Sequence, residues 1–433
     1  MSESEVAKER HGEAVPRWGR VLLAALLALA LLARLALALV LGTEWTAPRA
    51  DSEAYLDVGL AVADGKGFER PGGMDGKPIL ADRMPGYPLV IAAAEASGQG
   101  PRALALIQSV LGVATMILAM AAAWRLAGLA TATPWRAGFW AGLVAAALLA
   151  FDPFQVWATG LALPEVALGL ALAATVAAGA RFIEAAEARG RAWPWAMATG
   201  AALALAAYLD IAWAGLAVVV GVAALIAKDR RRFLSGWALG AAVLIVALAP
   251  WAVRNVVRLG APVLVTSLGE RLYLGTGGAG GDDVHWDVAA LAPRPGEEQG
   301  LDEVGRDGSY LESAGERIAR KPWAWLGRMA ARGAGIWSPE GLGGLALPPM
   351  AGYTSLVPMG LLALAGVWVL RRRRAMLVWL LAAPAYMTVA YAALGGGPMD
   401  RLPVAPALAI LGGVALAAAL RPTGGKQPVA PLK

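Results

Sequence analysis

The 433-residue chain has no cysteine and only two histidines, His11 and His285. Without cysteine there is no disulfide, no thiolate nucleophile and no thiolate-bound metal. With two histidines a His-rich zinc site is excluded as well. Charge is scarce: 16% of residues are Asp, Glu, Lys or Arg, against about 25% in an ordinary soluble domain. Hydrophobic residues make up 58%. A water-soluble fold of this length could not bury them all, so part of the solvent must be lipid. Disorder, collagen and small disulfide scaffolds are excluded by the same composition.

A membrane helix needs roughly 20 mostly apolar residues. Ten candidate spans follow, at about 21–42, 103–123, 137–151, 163–180, 194–209, 211–227, 234–252, 353–370, 375–393 and 403–420. The third is short, and the fifth and sixth are separated by almost nothing. Lys and Arg set the orientation. They cluster at Lys8 to Arg20, Arg125 and Arg136, Arg181 to Arg191, Lys228 to Arg232, Arg371 to Arg374, and Arg421 to Lys433. These short segments alternate with two long ones of mixed charge, 43–102 and 253–352. The expectation is an all-α polytopic protein of the cell (inner) membrane. Tails 1–20 and 421–433 are cytoplasmic, residues 21–420 form one membrane domain, and the long loops lie outside. Trp45, Trp135, Trp193, Trp195 and Trp251 fall at span ends, where indole rings anchor at the interface. Basic residues dealt out between helices give no single aqueous face for nucleic acid, so no nucleic-acid partner is expected.

Candidate chemistry gathers on the outside. Asp51 opens a predicted helix over about 52–64, stopped by Gly65, whose apolar side chains suit a helix lying along the membrane surface. On spacing alone Asp51 reads first as a helix cap. In Arg83-Met84-Pro85-Gly86-Tyr87-Pro88 the two prolines forbid a regular helix through the turn, which holds Arg83 on an irregular loop. Pro164-Glu165 starts the fourth span, Pro250-Trp251 with Arg254-Asn255 ends the seventh, and Asp400-Arg401-Leu402-Pro403 enters the tenth. Each alone is an ordinary cap or anchor. Together, Asp51, Glu165, Arg83, Arg254 and Arg401 all fall at one water–lipid boundary. The run from Gly275 to Gly281 lacks the Lys-Ser/Thr of a phosphate loop and reads as a flexible loop. Asp282, Asp283, His285 and Asp287 read as solvated loop-tip residues, so no metal or other cofactor is expected and a divalent ion is the less favoured alternative.

These segments resemble the GT-C superfamily of membrane glycosyltransferases, and within it the protein O-mannosyltransferase-like branch that includes the lipid A aminoarabinose transferases. The resemblance rests on Ala50-Asp51-Ser52 with Tyr55 and Gly65-Lys66-Gly67-Phe68, on the Arg83–Pro88 segment, on Pro164-Glu165, on Pro250-Trp251 with Arg254-Asn255, and on Arg401-Leu402-Pro403 with Pro406. It covers roughly residues 20–420 in order. It implies a bundle of about ten membrane helices with interfacial helices in the first outer loop, and a polyprenyl-phosphate-linked sugar as donor. By the resemblance the catalytic acid is at Asp51 and the phosphate contact at Arg83. Such a donor carries its own leaving group, so the residue chemistry needs one base and fixed cations. Asp51 is assigned as base, Glu165 orients acceptor or sugar, and Arg83, Arg254 and Arg401 bind donor phosphate. Glu53, Tyr55, Tyr87 and Asn255 are the further substrate-binding candidates. Expected partners are the lipid-linked donor, a glycan, lipid or protein acceptor, and membrane lipids. One departure stands out: Leu209-Asp210-Ile211 occupies the fifth-span end where the resembling proteins often carry a basic Arg-Pro. The rival reading is a transporter or flippase of a lipid-linked substrate. It would place ionisable groups near the bilayer midplane, and Arg34 is the only charge well inside a span.

Overall fold

The computed structural model describes residues 15–40, 50–71, 77–129, 134–227, 229–277, 301–339 and 350–420. These are helical almost throughout, and among them the sole β pairing is an isolated antiparallel bridge between Arg70 and Ile79. Ten apolar helices match the ten expected spans: α1 (Arg17–Val40), α4 (Gly100–Leu129), α5 (Pro134–Ala150), α7 (Glu165–Glu187), α8 (Trp193–Leu209), α9 (Leu216–Ile226), α10 (Arg230–Leu259), α14 (Met350–Leu370), α15 (Arg374–Ala393) and α16 (Ala405–Ala419). Among the described residues, seven segments are long and apolar enough to cross a membrane by themselves. The joint between α8 and α9 is Asp210, whose carboxylate accepts from Ala212 N–H (3.0 Å) and starts a 3₁₀ turn over Ile211–Gly215.

Burial separates the helices by position. In the segment Pro398–Ala419, which holds α16, 78% of the apolar window is buried, whereas in α10 the figure is 11%. The first is therefore the central helix and the second a perimeter one, with Ile245, Val246, Val253 and Val257 exposed on its surface. Lipid offers no hydrophobic drive between helices, so small residues at crossings set how closely they pack. A Cβ on Gly240 would stand 3.0 Å from the Ala196 carbonyl oxygen across the α8–α10 contact. Arg34, at membrane depth in α1, is 1% exposed and donates to the carbonyls of Ala30 (3.2 Å) and Leu149 (3.1 Å), the latter at the end of α5.

The remaining helices sit at the face to which the two long segments belong. They are α2 (Ala50–Ala63), α3 (Gly86–Ala96), α6 (Pro153–Ala158), α11 (Leu268–Gly275), α12 (Glu303–Arg320) and α13 (Pro322–Ile336). Two expectations need correction here. First, α2 does not offer its apolar side to lipid: Ala54, Tyr55, Leu56, Val58 and Ala61 are buried, and Tyr55 and Leu56 join one cluster with Tyr87 and Ile91 of α3. Second, Pro88 does not keep the chain out of a helix. Pro85 stands just before α3 and Pro88 lies in its first turn, where an N–H has no intrahelical acceptor to lose. Arg83 is nonetheless on irregular backbone, as the prolines imply. Gly86 lets the start of α3 press on α8, since a Cβ there would be 2.5 Å from the Tyr208 carbonyl oxygen.

Candidate functional site

The first long segment supplies one half of the site. Asp51 is the second residue of α2, one helical turn before Tyr55; its side chain lies outside the described residues. Ser52 beside it is fully buried, and its Oγ has no hydrogen-bond partner among the described residues. Glu53 is exposed. Tyr55 is buried, stacks edge-on against Tyr87 (5.3 Å between centroids), and donates to the Leu209 carbonyl at 3.4 Å. Over its ring lies the Arg83 guanidinium, 5.4 Å from the centroid. Arg83 also meets Ser267 Oγ at 3.3 Å and its neighbour Asp82 at 3.6 Å. Asp82 is shared, because Arg70 holds it at 2.9 Å. These Arg83 contacts are long for charge-assisted bonds, which run at about 2.7–2.9 Å.

The end of α10 does something different from what its sequence suggests. Arg254 donates to the Leu80 carbonyl (2.6 Å), Asn255 Oδ1 (2.8 Å) and the Phe68 carbonyl (3.2 Å), and its guanidinium rests over Trp251. Asn255 is buried and donates to the Val263 carbonyl at 2.8 Å. Trp251 is buried against Phe68, and its indole N–H donates to the Leu264 carbonyl at 2.8 Å, so it is no membrane anchor. Arg258 adds an ion pair to Glu69 at 2.8 Å. The motif Pro250–Asn255 is thus a clamp that grips the backbone at Phe68, Leu80, Val263 and Leu264. Arg254 and Asn255, expected at the substrate, are engaged by the protein itself. From the other side, the Glu303 carboxylate accepts from the N–H groups of Leu80 (2.7 Å) and Ala81 (2.8 Å) and from the Thr266 hydroxyl. Arg83 follows directly on this doubly fastened stretch.

Arg401 is likewise buried, in the 3₁₀ turn Pro398–Val404. Its Nη1 donates to the carbonyls of Ile336 (2.7 Å) and Ser338 (2.9 Å), tying the entry of α16 to the end of α13, while Nη2 is buried without a hydrogen bond among the described residues. The counter-charge is Asp152, which caps α6 by accepting from Phe154 N–H at 3.0 Å. Burial pushes the Asp152 carboxyl above the usual carboxylate range, against the pull of that N–H and of Arg401. Glu165 opens α7 half-buried. It stands near enough to Tyr87 that its charge, after burial, helps raise the Tyr87 phenol well above its ordinary value. Tyr87 itself is fully buried and donates to Gln108 Oε1 (3.1 Å), which makes it part of the packing rather than of an open surface.

The sequence reading assigned no role to Asp82, Ser267, Glu303, Asp152, Arg271 or Tyr391. Asp210, which it flagged as a departure, meets two of them: its Oδ2 accepts from the Tyr391 hydroxyl at 2.7 Å and pairs with Arg271 of α11 at 3.5 Å. A neighbouring acid in Asp82-Arg83 and the acid pair Asp302-Glu303 before a helix were visible signals; the Asp210–Arg271 pairing had none, because 61 residues separate the partners. Among the described residues no three His, Asp or Glu side chains come together as a metal site. Asp282, Asp283, His285, Asp287, Trp45 and residues 278–281 lie outside the described residues.

No protein-family model and no curated protein sequence matches the chain. Its fold does match solved structures. The archaeal oligosaccharyltransferase AglB from Archaeoglobus fulgidus, in complex with an inhibitory peptide and a dolichol-phosphate, aligns over 93% of this chain and 50% of its own length, with a TM-score of 0.51 at 14% identity. ArnT from Cupriavidus metallidurans, bound to undecaprenyl phosphate, aligns over 94% of this chain and 79% of its own, at 17% identity and a TM-score of 0.41. The chain spans about half the length of AglB. Over most of its length the chain thus shares its fold with AglB.

Proposed function

We propose that the chain is an integral-membrane glycosyltransferase that moves a sugar from a polyprenyl-phosphate-linked donor to an acceptor hydroxyl at the long-loop face. The distribution of Lys and Arg supports placing that face outside the cytoplasm. The observation that carries the reading is Arg83: a guanidinium stacked over Tyr55, which lies one helical turn from Asp51, on backbone fastened from both sides. A cation fixed in this way is suited to a phosphate leaving group, which guanidinium grips through paired N–H donors. The shared fold supports the same class of lipid, since AglB was solved with dolichol-phosphate.

In this reading the acceptor oxygen bonds to the anomeric carbon as the bond from that carbon to the phosphate oxygen breaks. The electron pair stays on the phosphate, the acceptor proton passes to Asp51, and the anomeric centre inverts. Arg83 meets the departing phosphate, and Glu165 orients the acceptor or sugar. Arg254 and Arg401 act as positioning residues through the backbone carbonyls they hold. No divalent metal enters the step. Arg34, the feature that would favour transport, donates to backbone carbonyls instead. The test is incorporation of labelled sugar into membranes from a panel of polyprenyl-phosphate monosaccharides, with nucleotide sugars as controls. Incorporation from at least one lipid-linked donor is expected. None from any donor, with the protein correctly inserted, overturns the reading.

A further inference from the structure

We propose that Gln108 is a positioning residue of the transfer site, a buried amide in α4 that sets Glu165 and the Arg83 turn at a fixed spacing. This rests on the glycosyltransferase reading above and names a residue that the motifs do not contain. A polar side chain in an apolar span is costly unless its groups find partners inside the protein. Three buried polar side chains lie in α4: Gln108, Ser109 and Thr115. Two of them are satisfied within the helix. The Ser109 hydroxyl donates to the Ala105 carbonyl (2.7 Å), and the Thr115 hydroxyl donates to the Leu111 carbonyl (2.9 Å). Gln108 is fully buried, and among the described residues its side chain bonds to other segments instead.

Its amide nitrogen donates to the carbonyls of Thr159 (3.1 Å) and Leu161 (2.7 Å), and its Oε1 accepts from the Tyr87 hydroxyl at 3.1 Å. Thr159 and Leu161 belong to the irregular stretch between α6 and α7, buried backbone whose carbonyls need partners. Glu165 follows Leu161 by four residues and opens α7. Tyr87 follows Arg83 by four residues and stands in the first turn of α3. The two anchors also meet each other: the Tyr87 hydroxyl lies 3.5 Å from the Leu161 carbonyl, and the Glu165 charge acts on the Tyr87 phenol. One side chain therefore joins the motif of the proposed cation to that of the proposed orienting acid. The residue type fits the task. Glutamine offers two donors to the carbonyls and an acceptor to the hydroxyl, whereas leucine offers neither, ionised glutamate only accepts and lysine only donates.

The experiment measures the initial rate of labelled-sugar incorporation in membranes carrying the full-length protein, with insertion verified. The donor is the polyprenyl-phosphate monosaccharide that wild type accepts, at saturating concentration. Gln108→Leu is expected to slow transfer about tenfold or more, since misplacing positioned groups costs on that scale. Tyr87→Phe should slow it less, and in the Gln108→Leu background no further, because the bond it removes is already gone. Thr115→Val, which removes a buried hydroxyl bonded within α4, should transfer at the wild-type rate. Should Gln108→Leu fail to insert, Tyr87→Phe keeps the ring, removes a single hydroxyl, and must itself slow transfer. A wild-type rate in Gln108→Leu, whatever its melting temperature, overturns the positioning role and leaves the glycosyltransferase reading standing. So does a wild-type rate in Tyr87→Phe where Gln108→Leu does not insert, or a loss in Thr115→Val as large as in Gln108→Leu. No incorporation by wild type from any lipid-linked donor overturns both.

Discussion

The two long segments at the same face solve opposite problems. In the first, α2 carries apolar side chains and turns them inward, burying Tyr55, Leu56 and Val58 while Glu53 stays exposed. In the second, α13 does the reverse. Its exposed face is Trp323, Ala324, Leu326, Gly327, Ala330, Ala331 and Ala334, without a charge, and Trp323 is 82% exposed. Its arginines face the protein: Arg332 donates to the carbonyls of Gly275 and Leu274, and burial lowers its affinity for its proton. An apolar helix at a membrane face is therefore not located by its apolar residues. The position of its charges decides whether protein or lipid covers it. In α2 the apolar side makes the floor under Arg83. In α13 it makes a surface suited to the lipid interface.

Variants can break this division of labour. Among the residues that hold or meet the phosphate, the largest effect is expected at Arg83. Arg83→Ala should lower kcat/KM about 100-fold, as loss of one donor to a developing charge does, with little change in thermal unfolding. Arg254→Ala should show the converse. Removing hydrogen bonds to Leu80, Asn255 and Phe68 should destabilise the fold by about 1–3 kcal/mol, seen as a lower melting temperature in detergent, with a smaller loss of kcat/KM. Equal kinetic losses with unchanged melting in both variants would erase the distinction between substrate cation and clamp. Glu303→Gln keeps one acceptor oxygen for three donors, so about 1 kcal/mol of stability and a raised KM for donor are expected. The smallest effect belongs to Trp323→Phe: turnover unchanged, but less of the total tryptophan fluorescence quenched by brominated lipids than in wild type. Unchanged quenching would show that lipid does not cover α13.

Much of this was legible in the sequence. Spans of apolar residues between basic loops located the ten apolar helices of the described residues, and the α8–α9 break fell at Asp210, as their near-contact suggested. Asp51 at a helix start and Arg83 beside prolines were readable because each is a local signal. What escaped was long-range. Arg254 takes its carbonyls from residues 174 and 186 positions away, so a motif that reads as an anion grip proves to be a clamp. Trp251 looked like an interface anchor because it ends a span, yet Phe68 covers it. Hydropathy reports which residues avoid water, and not whether protein or lipid receives them.

The central claim is tested most directly by the single-turnover rate of sugar transfer from an accepted polyprenyl-phosphate donor, compared between wild type and Asp51→Asn with membrane insertion verified. Loss of a positioned general base should slow transfer by about 10²–10⁴-fold while donor binding persists. An Asn variant that transfers at a near-normal rate would contradict the assignment of Asp51 and, with it, the site built around Arg83.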